Sequence, residues 1–118
     1  MDFTTLVSLM EEVRERIRSR LDEPRVREAV SKMLASIDLS QFTPEELAAI
    51  VALVASKLLT RYAVAWEHPC HCSAERVRER VRYTYAALVG LVLEEVNKLA
   101  EDACKEAASR CAPIAMHT

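Results

Sequence analysis

Apolar residues recur at helical spacing from the start of the chain: Phe3, Leu6, Met10, Val13, Ile17 and Leu21 fall three or four positions apart, with charged residues between them. That period lines one face of an amphipathic helix and predicts a helix over residues 3–22, ended by Pro24. Val26, Val30, Met33, Leu34 and Ile37 repeat the pattern and predict a second helix over about 25–37, which stops near DLSQF. The clearest local signal is TPEE at 43–46, with Thr43 as N-cap, Pro44 at the first helical position and Glu46 where a capping box needs a carboxylate. A third helix is expected from there to about Trp66, broken by His68 and Pro69. Ser73 then caps a fourth, with Glu75 and Glu79 near its positive end. Nothing stops this helix before CAP at 111–113, so it covers about 74–110, roughly 55 Å at 1.5 Å per residue. Gly90 is its one candidate break, but AALVGLVLEE offers no turn-forming neighbours, and the helix is expected to run through. No strand alternation competes. The expected fold is all-α, a four-helix bundle-like single domain over 1–118 with a long C-terminal helix.

Composition agrees. A single glycine and four prolines in 118 residues leave few places for tight turns, and 51% hydrophobic with 29% charged residues is ordinary for a folded domain. The longest uninterrupted apolar runs, 47–55 and 85–93, are about nine residues, short of the roughly 20 needed to cross a bilayer, so no transmembrane helix is expected. Asp2, Glu11, Glu12 and Arg14 argue against a secretory signal, and action in the compartment of synthesis is expected. The net charge of −2 gives no whole-protein basic field for nucleic acid. Arginine outnumbers lysine 12 to 4, which fits a GC-rich or thermophilic source and, for a hyperthermophile, admits intracellular disulfides. The string VRER occurs at 13–16 and 77–80, and is read as biased composition on two amphipathic helices rather than a duplication.

Two rows run along the fourth helix. Val77, Val81, Tyr85, Leu88, Val92, Val96, Leu99 and Ala103 form a large apolar row of ordinary core character. Ala86, Gly90, Leu93, Asn97, Ala100, Cys104, Ala107 and Cys111 form a second row, mostly small, that suits close approach of another helix. That partner is either another helix of the same chain or a second chain, and both readings stay open.

The cysteines stand at 70, 72, 104 and 111. Cys104 and Cys111 lie about 10 Å apart on one helix, beyond the roughly 7 Å between Cα atoms that a disulfide spans. Cys72 and Cys104 are separated by about 48 Å of straight helix. An antiparallel dimer with its axis near Gly90 would bring Cys70 opposite Cys111 and Cys72 opposite Cys104, as intermolecular staples; free cysteines acting as small hydrophobes are the alternative. His68, Cys70, His71 and Cys72 have donors of the right type at poor spacing for zinc. CHC does not meet the haem-attachment pattern, and no Glu-x-x-His pair is present, so no metal or other cofactor is expected. A thiol beside His68 or His71 is the one conceivable nucleophile, but no Gly-rich loop, nucleophile elbow or orienting carboxylate accompanies it, and no enzyme or small-molecule substrate is expected. The adjacent pairs Glu11/Glu12 and Glu94/Glu95 read as solvated faces, and His117 as a solvent-exposed tail residue.

Arg14, Arg16, Arg18 and Arg20 flank the stripe of the first helix, and Arg76, Arg78, Arg80 and Arg82 do the same at the start of the fourth, beside Tyr83 and Tyr85. Each set suits sequence-independent contact with successive phosphates; ion pairing with Glu11, Glu15, Glu75 and Glu79 is the alternative.

The segments VRERIRSR at 13–20 and RVRERVR at 76–82, with the unbroken helix after Ser73, resemble in general character the small all-helical major coat proteins of filamentous and rod-shaped viruses of hyperthermophilic archaea. The resemblance implies a structural subunit of a virion or host cytoplasm that assembles with itself or a homologous subunit. It also implies double-stranded DNA held by arginines from several helices. The departure is the net charge of −2, which a more basic partner subunit would offset. The competing expectation is a non-catalytic dimeric interaction or regulatory module of a thermophile with structural disulfides.

Overall fold

The computed structural model describes residues 2–111, and these are all-helical. Four α-helices follow in order, α1 (Phe3–Arg18), α2 (Pro24–Ala35), α3 (Pro44–Val64) and α4 (Ala74–Ser109), with single 3-10 turns at Leu39–Gln41 and Pro69–His71. The Thr43 hydroxyl accepts from the Glu46 amide, and the Glu46 carboxylate accepts from the Thr43 amide at 2.9 Å, so the capping box closes in both directions. Ser73 accepts from the Arg76 amide and caps α4, which runs unbroken through Gly90.

Helix ends fall short of the sequence pattern. α1 stops at Arg18, not 22, because Arg20 and Leu21 donate to Ile17 and Arg18 in tighter i to i+3 bonds and the Ser19 hydroxyl donates to the Arg16 carbonyl. Pro24 is the first residue of α2, where its missing N–H is no loss. α2 ends at Ala35 and α3 at Val64, each in a similar tightened turn.

α4 is the spine. α1 and α3 both pack on it. α1 runs parallel to α4, Arg14 meeting Ala86 and Ala87 and Arg18 meeting Glu94, while α3 runs back along it, Thr60 and Val64 facing Val77 and Val81. The buried core is small: Leu59 and Ala63 of α3 against Thr84, Ala87 and Leu91 of α4. The large apolar row read as the core face of α4 therefore lies beside the buried row. Val77, Val81 and Leu88 are half-buried, whereas Tyr85, Val92, Val96 and Leu99 are exposed.

The consequence is an extended molecule, 67 × 32 × 29 Å with a radius of gyration of 18.8 Å. A compact chain of this length would have about 13.5 Å. Its accessible area is 9836 Å², about 3,000 Å² more than a compact monomer of this mass would show.

Candidate interaction surface

Alternation at every second position sends arginines to opposite sides of a helix, since two residues advance by about 200°. Arg14 and Arg18 accordingly face α4, and Arg16 and Arg20 face outward. The Arg14 guanidinium donates to the carbonyls of Ala87 at 3.1 Å and Ala86 at 3.4 Å. It lies over Gly90, where a Cβ would come within 2.8 Å of its Cζ and Nε. Arg18 bridges Glu15 and Glu94, Arg16 pairs with Glu12, and Arg20 with Glu23.

The second set divides likewise. Arg76 donates to the Glu67 carboxylate at 2.9 Å and to the His71 carbonyl at 2.6 Å, and Arg80 stacks over Trp66 with its Cζ 4.8 Å from the ring. Arg78 and Arg82 line an open groove beside α3 and make no ion pair among the described residues. Six of the eight arginines read as phosphate contacts thus have partners within the chain. Of the acids expected to pair with them, only Glu15 does so; Glu12, Glu23, Glu67 and Glu94 supply the rest.

Glu67 is the clasp between the α3–α4 connection and α4. Its carboxylate also accepts from the Ser73 amide, and these bonds, the Arg76 one first, hold it below the usual carboxylate range. In a cleft of about 270 Å³ lined by Leu9, Val13, Glu79 and Tyr83, the Tyr83 hydroxyl donates to the Glu79 carboxylate one turn away, a bond that raises the Tyr83 pKa. The charged groups here satisfy one another. Nothing in the sequence pattern marked Glu67 or Trp66 as network members, because their partners lie across a loop.

The connection carries Cys70 and Cys72, both exposed, with the His68 and His71 rings 5.3 Å apart. Among the described residues no group of three metal-ligating side chains converges. Cys104 and Cys111 are also exposed and unbonded, at the far end of α4. The second row of α4 is split: Ala86 and Gly90 lie against α1, while Leu93, Asn97, Ala100, Cys104, Ala107 and Cys111 are exposed. For its first two members the partner helix belongs to the same chain.

What the fold leaves open is apolar. Residues 96–111 of the α4 end are all exposed, Val96 and Leu99 among them. Val51, Val54 and Leu58 form an outward stripe on α3, and Val30, Met33 and Leu34 one on α2, continued by Ile37 just past its end. α3 also corrects the reading from short apolar runs: taken whole, its 21 residues are long and apolar enough, by length and composition, to cross a membrane, and only Leu59 and Ala63 are buried. An open groove of 740 Å³ runs between α3 and the first half of α4, floored by Val64, Val77 and Val81 and edged by Thr60, Arg78 and Arg82. No family model, curated protein or solved structure matches the chain.

Proposed function

We propose that this chain is a non-catalytic assembly subunit, which completes its fold by laying its open helical faces against another helical surface. The observation that carries this is the exposure of every residue of α4 from 96 to 109, an apolar-striped segment left open by the other described helices. About 14 residues of isolated helix are marginal in water, so such a segment needs tertiary cover. Stable interfaces take about 800 Å² from each partner, well under the excess area of this chain.

Self-association is the part of the coat-type reading that this geometry favours. Phosphate contact draws less support, since six of its eight arginines are engaged within the chain. A bilayer is a weaker partner for α3: Lys57 lies well inside the helix, where a charge at bilayer depth costs about 3 kcal/mol, and the second half of α3 already packs on α4.

Light scattering on the purified chain tests the proposal. A mass that is a multiple of 13.3 kDa, retained at high salt, is expected of an apolar interface. A monomer at every concentration, or a monomer that instead partitions onto phosphatidylcholine vesicles, would overturn it.

A further inference from the structure

We infer that the partner is a second copy of this chain, bound antiparallel along α4 about a two-fold axis at Val92, with the free end of each α4 in the α3–α4 groove of the other. The inference rests on the assembly reading and gives it a geometry.

The apolar row of α4 is symmetric about Val92. Counting outward from Val92, its members stand at minus 4, 7, 11 and 15 as Leu88, Tyr85, Val81 and Val77. At plus 4, 7 and 11 they are Val96, Leu99 and Ala103, and Ala107, at plus 15, lies between this row and the second one. An antiparallel pair related by a two-fold needs such a row, because each arm must meet the other arm at equal offsets. The 11-residue repeat keeps both arms on one face of a nearly straight helix. Sizes also match: Val77 and Val81, half-buried in the groove floor, meet Ala107 and Ala103, while the exposed Tyr85 meets Leu99.

Charge is distributed to suit the same arrangement. From Ala74 to Tyr83, α4 carries four arginines and two glutamates; from Glu94 to Glu106 it carries five acids and two lysines. Antiparallel pairing sets the basic third of each helix against the acidic third of the other. The rims of the groove are cationic, with Arg78 and Arg82 on α4, and Lys57 and Arg61 on α3 next to the groove residues Thr60 and Val64. None of these four has an ion-pair partner among the described residues. A two-fold keeps each flank of the row opposite the same flank of its mate. The flank of the free end bearing Asp102 and Glu106 therefore comes to the α3 rim, to Lys57 and Arg61. The opposite flank carries the small Ala100 and leaves room for Arg78 and Arg82.

This differs from the Gly90-centred register by about two residues and about a third of a turn. Arg14 occupies the face on which that seam would have closed.

Two readouts on the full chain test the inference. With Cys70, Cys72, Cys104 and Cys111 changed to Ser, a single Val92→Cys should form a covalent dimer on oxidation with copper phenanthroline, because the axis sets position 92 beside itself; Val51→Cys should not. Lys57→Glu with Arg61→Glu should weaken association at least tenfold by sedimentation, as should Asp102→Lys with Glu106→Lys. The four changes together should restore it to within about threefold. A chain that associates but shows neither the Val92 link nor the rescue would overturn this geometry and leave assembly standing. A chain that never associates would overturn both.

Discussion

Replacing the lone glycine should destabilise the protein, although glycine is the weaker helix former. In an exposed helix interior Gly→Ala gains about 0.8–1 kcal/mol. At Gly90 the added methyl would sit 2.8 Å from the Arg14 guanidinium, which donates to the Ala86 and Ala87 carbonyls from a half-buried position. Arg14 has to swing out, and hydrogen bonds from a charged donor contribute about 1.5–3 kcal/mol; partial exposure places this pair near the lower bound. Gly90→Ala is therefore expected to lose about 1 kcal/mol. In an Arg14→Ala background the obstruction is gone, and the same substitution should gain about 0.8–1 kcal/mol from propensity alone. The sign reverses, with a coupling of about 2 kcal/mol, within the range of side chains in direct contact. Urea unfolding of the four members of the cycle, followed by circular dichroism at one protein concentration, measures it; concentration is held fixed because association contributes to stability. Equal gains from Gly90→Ala in both backgrounds would refute the seating of Arg14 on α4.

Thr43→Ala removes one side of the capping box and should cost about 1 kcal/mol in urea unfolding, with α3 the first helix to lose exchange protection. Leu59 is the one large side chain of α3 in the core, and Leu59→Ala should cost about 2–4 kcal/mol in the same assay. Glu67 has a depressed folded-state pKa, so its contribution is present above the ordinary glutamate range and is lost as pH falls through the depressed value. Stability curves of wild type and Glu67→Gln should accordingly differ at neutral pH and converge in acid, and parallel curves would remove Glu67 as the clasp. Because most of the arginines have partners within the chain, duplex DNA titrations should show little affinity at physiological ionic strength; a salt slope worth about six or more phosphates would contradict that.

The helices were legible because their signals are local. The period of 3.6, the Thr43–Glu46 box, Pro44 and Ser73 act within one turn, and each is where the sequence pattern put it. Gly90 is continuous for the expected reason, but its role was not legible: what makes glycine fit there is Arg14, 76 positions earlier in the chain. The Asp2 side chain, which accepts from the Thr5 amide and caps α1, was read only as a charge against a leader segment. Burial along α4 was not legible because a periodic pattern identifies an apolar face without saying what covers it. The row from Val77 to Ala103 reads like a core stripe, and the chain's own helices leave Tyr85, Val92, Val96 and Leu99 of it exposed. The arginines were grouped by their spacing in sequence, and the 200° step between alternate positions divides each group between an inward pair and an outward pair.

The central claim is that the free end of α4 is covered when the protein is at work. Hydrogen exchange of the backbone amides between residues 96 and 109, measured across protein concentration, tests it most directly. An uncovered single helix opens with almost no free-energy cost, whereas a packed one opens only with its interface. The account predicts protection that rises with concentration towards that of the core turn from Thr84 to Leu91. Exchange at nearly unprotected rates in this segment at every concentration, with the core turn still protected, would contradict it.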